Sequence, residues 1–240
     1  MYHKTTLTNG IRVVIEEIPT FSSVAVGLWV NVGSKREDPS EAGMSHLIEH
    51  LLFKGTSQRT AREIAEMLDS VGGQLNAFTS KEHTCYYAKV LAQHFALALD
   101  VLADMFLNPK LSLEDIEREK KVVQEEISMY EDSPDELVHD LLAQAVWNDH
   151  PLGRPVLGTR HSVANLTSEQ IHSFFQRFYT PGNLVVAVAG NIKHEQVIAA
   201  CEQLLGAASP VPIPALDSPI PQFQAGRRFF TRSLEQVHLC

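Results

Sequence analysis

The apolar positions of this chain keep two periods, and the switches between them mark out its elements. From Ser22 to Val32 the pattern alternates, with Val24, Val26, Leu28, Val30 and Val32 on one face. That predicts a half-buried strand of a sheet covered on one side. Residues 5–17 read as a hairpin, because Asn9-Gly10 precedes the apolar run Ile11 to Ile15. Further strands are expected at 74–80, 82–91 and 184–189. Between them the spacing becomes helical. Thr60 and Glu63 form a capping box ahead of Ile64, Met67, Leu68 and Val71. Phe95, Leu99, Leu102 and Phe106 make a core stripe that ends at Asn108-Pro109. Ser112 and Ser133-Pro134 open two more helices, Thr167 caps another before Ile171, Phe174, Phe175 and Phe178, and the last runs from Val197 to Leu205. Strands interspersed with helices, with strand patterns covered on one face, predict a sheet that packs one side against helices.

One helical stretch carries chemistry. In His46-Leu47-Ile48-Glu49-His50 each residue turns about 100°, so His46 and His50 share a face at i,i+4 and can meet on one metal ion. Glu49 and Phe53 lie on the same side. Ser40 is the expected N-cap, and Lys54-Gly55 reads as the helix end. Two histidines are too few ligands, since zinc in hydrolases takes three from the protein and keeps one position for water.

The run Ile116–Ile127 offers the third. On its helical wheel Ile116, Glu119, Val123, Glu126 and Ile127 share one arc, while Glu117 and Glu125 fall outside it. A carboxylate on an apolar inward face is costly unless paired or metal-bound, which selects Glu126 over Glu125. Glu119, two turns away on that arc, either orients a ligand or forms a buried salt bridge, for instance to an arginine.

Composition changes this picture little. At 240 residues and 44% hydrophobic content the chain can bury a sizeable core as one large or two small domains. No apolar run is long enough to span a membrane, and the start Met1–Thr5 lacks a signal-peptide core. Cys85, Cys201 and Cys240 show no paired spacing, so reduced thiols and a cytoplasmic location are expected. A net charge of −9 disfavours nucleic acid as a partner. Five prolines within 210–221 mark a linker over 207–221. That divides the chain into a domain over 1–206, the linker, and a remainder at 222–240 too short for anything but the start of a second domain. Eight histidines outside the motif, His194 among them, read as isolated packing or capping residues.

The words around the motif carry a resemblance. HLIEHLLFKGT, GGQLNAFTSKEHTCYYAKV, IEREKKVVQEEI and HPLGRPVLGT occur in order, and HLIEH is a His-x-x-Glu-His inverted zincin signature. Glu126 follows His50 by 126 − 50 = 76 positions. Over nearly all of residues 5–205 the chain resembles the inverzincin metallopeptidases that include pitrilysin, insulin-degrading enzyme and the mitochondrial processing peptidases, and it is most similar to the processing-peptidase branch. The resemblance implies an α+β domain of the processing-peptidase and LuxS-like metallohydrolase type, with a mixed, mostly antiparallel sheet and helices packed mainly on one face, the N-terminal catalytic half of such an enzyme. It implies a Zn2+ cofactor on His46, His50 and Glu126, with Glu49 as general base. The strand at 74–80 is then the edge along which a peptide or unfolded segment lies, with Asn76 and Ala77 as substrate contacts. Without the resemblance, Asn76 is a turn or strand-end residue. Phe53 either lines the pocket for the residue after the cut or packs in the core. The family also implies a second similar domain or a partner subunit, a homodimer included. Two other readings stand beside the zinc endopeptidase. One is a non-catalytic partner of the same fold, which the intact Glu49 disfavours. The other is a LuxS-type lyase, which the flanking words and the long-range Glu126 disfavour.

Overall fold

A computed structural model of the chain describes residues 2–148, 150–211, 220–223, 225–232 and 236–240. The expected hairpin forms from β1 (Tyr2–Thr6) and β2 (Arg12–Glu17). Next come β3 (Ser23–Val30), the histidine helix α1 (Met44–Leu52), α2 (Ala61–Asp69), and the antiparallel pair β4 (Gln74–Thr79) and β5 (Thr84–Leu91). Then follow α3 (Phe95–Leu107), the acidic helix α4 (Leu113–Glu131), α5 (Pro134–Trp147), α6 (Arg160–Asn165), α7 (Ser168–Phe178), β6 (Leu184–Gly190) and α8 (His194–Leu205).

The fold is α+β. Six strands form one sheet in the order β1-β2-β6-β3-β5-β4, in which only β2 and β6 run parallel. The five alternating residues expected inward from Val24 to Val32 are all buried. They face α3, whose apolar stripe includes Phe95, Leu99, Leu102 and Phe106, and α8 lies beside it against β2. Burying one such aliphatic side chain is worth about 1.5–3 kcal/mol, so this single layer between sheet and helices supplies the main driving force. The opposite face carries Trp29, Phe78 and Tyr87 around an open hollow. Among the described residues, no helix is long and apolar enough to cross a membrane.

Two features position the site. β4 is an edge strand, and its alternation turns Leu75, Ala77 and Thr79 toward α1 and α2. α1 in turn packs against β4, α4 and α7. The helix does not start at Ser40, which lies in a 3-10 turn over Pro39–Glu41; its N-cap is Gly43, in the left-handed region at φ 93°. The reason is the chain reversal between that turn and the helix, which only glycine adopts without strain. Most of the expected linker, residues 212–219, lies outside the described residues. No helix or strand occurs among the described residues beyond Leu205.

Candidate metal centre

α1 delivers His46 and His50 on one face, and α4 lays Glu126 across from them. Glu126 Oε2 is 3.4 Å from His50 Nε2 and 3.8 Å from His46 Nε2. The ligating atoms of all three lie within 4.8 Å of one another. A tetrahedral zinc ion at 2.0–2.1 Å from each donor separates donors by roughly 3.3 Å, so the residues present fit the ion. The two imidazoles are inclined at 65°, so their ring planes intersect and their lone pairs can converge. Burial, then the neighbouring His50, lowers His46 to about 4, which keeps its ring neutral and able to donate a lone pair.

The wheel placed both glutamates of α4 inward, and the structure separates them. Glu119 is buried, with a side chain 2% exposed, whereas Glu126 stands at the rim with 40%. Glu119 Oε2 lies 3.2 Å from His50 Nδ1, and its Oε1 lies 3.1 Å from the ammonium of Lys54. Glu119 therefore touches His50 and also forms a buried ion pair, whose partner is a lysine and not an arginine. A buried carboxylate costs several kcal/mol unless paired, and here two partners offset that cost. When His50 donates from Nδ1 to Glu119, its Nε2 keeps the lone pair that faces Glu126.

Glu49 sits on the same side of α1, half-buried. Burial raises its carboxyl above the usual range, against the hydrogen bond from Thr79 and the proximity of His50. The Thr79 hydroxyl donates to Glu49 Oε2 at 2.5 Å. Thr79 was missed from the sequence, although the alternation of β4 puts it on the same face as Leu75 and Ala77. Lys54 was read only as a helix-end cation.

The expected substrate contacts lie in two places. Asn76 points to the open side of β4, and its Oδ1 accepts from the N–H of Ala77 at 2.8 Å, while Ala77 itself packs against the core. Phe53 follows the last residue of α1, packs against the core and lies 6.4 Å from the Tyr86 ring. His194 is not isolated. With His3 and Glu17 it forms a second group of metal-type donors.

A His-x-x-Glu-His helix seated between a sheet edge and an acidic helix defines the class: an α+β metallopeptidase-type domain. Family models agree, with Insulinase (Peptidase family M16) matching residues 12–160 and Peptidase M16 inactive domain matching residues 165–240. The chain belongs to the insulinase family, peptidase family M16. It is 46% identical, over all of its length, to 58% of "Uncharacterized zinc protease YmxG" of Bacillus subtilis (strain 168). An uncharacterized zinc protease of Mycobacterium leprae (strain TN) is 51% identical over 203 residues, 85% of this chain and 46% of that protein. The crystal structure of a protease from Helicobacter pylori superposes with a TM-score of 0.88 at 25% identity, covering 93% of this chain and 54% of that one. The chain thus spans about half the length of the curated relatives it matches. The boundary between the two family models is not a boundary in the sheet, because β6 pairs with both β2 and β3.

Proposed function

We propose that this chain is the metal-binding half of a zinc endopeptidase that hydrolyses peptides or unfolded protein segments. The observation that carries the reading is the convergence of His46, His50 and Glu126 at separations close to those a tetrahedral ion imposes. These three residues would hold the zinc. When bound, zinc supplies Lewis acidity, making water more acidic and a peptide carbonyl more electrophilic. Glu49 takes the proton of the attacking water and returns it to the leaving amine. Its raised carboxyl suits a group that must both accept and release a proton, and the Thr79 hydroxyl fixes which oxygen faces the reaction. Glu119 and Lys54 hold His50 in register. The zinc-protease names of the relatives support the same reading.

The substrate adds to the free edge of β4 as an extended strand, pairing through backbone groups. That edge ends at Thr79, so a peptide lying along it passes the carboxylate of Glu49. Asn76 and Ala77 are the backbone contacts. Phe53 borders the pocket beyond the scissile bond. A second, similar domain or partner subunit closes the chamber over the metal, and the division at 206 and 221 belongs to the same proposal. One alternative has support of its own. A peptidase M16 inactive domain from Pseudomonas fluorescens shares the fold with a TM-score of 0.84 at 19% identity, so the fold is compatible with a non-catalytic subunit.

Glu49→Gln separates the two. In the full-length protein we expect wild type and Glu49→Gln to hold one zinc each by elemental analysis. Cleavage of an unstructured peptide should fall about 10²–10⁴-fold in the variant. Full activity in Glu49→Gln would overturn the assignment of the base, and a zinc-loaded but inactive wild type would favour the non-catalytic reading.

A further inference from the structure

The metal centre leaves the buried carboxylate of Glu37 and the HPLGRPVLGT motif unused. Glu37 is only 3% exposed, yet it does not touch the metal ligands. Its Oε2 accepts the N–H of Gly43 at 2.8 Å and its Oε1 accepts the N–H of Ser45 at 2.7 Å. Those are the N-cap and the second residue of α1, and His46 is the next residue. The first N–H groups of a helix have no partner within it, and a side chain at the N-cap usually supplies one. Gly43 has no side chain to do so. Glu37 therefore caps α1 from six and eight residues upstream with both side-chain oxygens.

Glu37 is itself held by the HPLGRPVLGT segment. Arg154 Nη1 donates to the Glu37 carbonyl oxygen at 2.8 Å, and Lys81 donates to the carbonyl oxygen of Arg154. The same segment lies flush against the helix start. A Cβ on Gly158, at φ 74°, would sit 2.5 Å from the Ala42 carbonyl oxygen, and one on Gly43 would sit 2.7 Å from that of Leu157. The first turn of α1 is thus fixed by a carboxylate, an arginine brace and a backbone contact. α1 is only nine residues long and carries His46 in its first turn, so a shift of its start moves both imidazoles relative to Glu126 on α4.

We propose that Glu37, braced by Arg154, is a positioning residue of the metal centre: it sets the start of α1 and so the separation of His46 and His50 from Glu126. The proposal rests on the zinc reading above. The test uses full-length protein as wild type, Glu37→Gln and Arg154→Gln. Three quantities are measured: zinc affinity by chelator competition, the visible spectrum of the cobalt-substituted form, and thermal unfolding of the metal-free form. In Glu37→Gln an amide NH2 replaces one acceptor oxygen and faces a backbone N–H. Zinc affinity of the folded protein should fall about 10–100-fold, as is usual when a group orienting a ligand is lost, with a shifted cobalt spectrum. Arg154→Gln should move both readouts the same way by a smaller factor. A Glu37→Gln protein that melts lower but keeps wild-type affinity and spectrum overturns the proposal, leaving Glu37 a fold residue. Should Glu37→Gln not fold, unchanged affinity and spectrum in Arg154→Gln overturn it equally. Wild type that binds no zinc would instead overturn the metal reading, an outcome distinct from a zinc-binding wild type beside unaltered variants.

Discussion

Two clusters in this molecule each gather two imidazoles and one carboxylate, and they differ in what those donors are free to do. In His46, His50 and Glu126 the rings are inclined at 65°, and Glu126 lies near the two Nε2 atoms. In His3, Glu17 and His194 the rings are stacked, 4.0 Å apart and 6° from parallel. An imidazole binds a metal ion in its own ring plane, and two stacked planes share no such point. The second carboxylate is also already engaged. Glu17 accepts from the Lys193 ammonium at 2.9 Å and from the backbone N–H of His194 at 2.9 Å, at the start of α8. A cation there would meet an ammonium and the positive end of a helix. Donor count alone does not distinguish the clusters; ring orientation and prior occupation of the carboxylate do.

The comparison breaks most sharply on metal content. Glu126→Ala and His46→Ala should each take zinc from one per chain to near none, whereas a His3→Ala/His194→Ala double variant should keep it. Elemental analysis after dialysis reads the result, and zinc lost from the double variant would reverse the ranking of the two clusters. A smaller effect is expected one layer out. Glu119→Gln keeps an acceptor for His50 Nδ1 but strips Lys54 of its ion pair, so zinc affinity should drop about 10-fold. Unchanged affinity in chelator competition would reduce Glu119 to a packing residue.

The smallest effect belongs to the second cluster, and it concerns protons. The hydrogen bonds from Lys193 and His194 hold the Glu17 carboxyl down at about 2, against an ordinary value of 4.5. Below 4.5 the unfolded chain binds this proton and the folded chain does not, so stability falls as pH drops toward 2. Above 4.5 the contribution is fully present. Because Glu17 and Lys193 meet at the surface, solvent screening keeps it small. Glu17→Gln should lower the melting temperature by no more than about 2 °C at pH 7 and flatten its fall between pH 4.5 and 2. An acid limb identical to wild type would show that the pair contributes nothing.

Much of this was legible in the chain. The alternation from Val24 to Val32 gave the inner face of β3, and the capping box at Thr60 and Glu63 gave the start of α2. The i,i+4 spacing put His46 and His50 side by side, and the wheel of α4 rejected Glu117 and Glu125, both of which are exposed. Other features were not legible. The polar stretch before α1 holds Glu37, Asp38 and Glu41, and no periodicity separates the one that caps the helix from its neighbours. His194 looked solitary because its partners lie in β1 and β2, almost the whole chain away. The parallel pairing of β6 with β2 joins residues more than 170 positions apart, at a distance where local pattern carries no information.

Periodicity fixes how a side chain points relative to its own helix or strand. It therefore determined by itself the histidine pair, the carboxylate face of α4 and the sheet's covered side. Distances between elements come from packing, which sums contacts from distant parts of the chain. Only that packing brought Glu126 rather than Glu119 opposite the two Nε2 atoms, put Thr79 on Glu49, and closed Glu37 over the start of α1. It also stacked His3 on His194, turning an apparent second set of ligands into a surface ion-pair cluster.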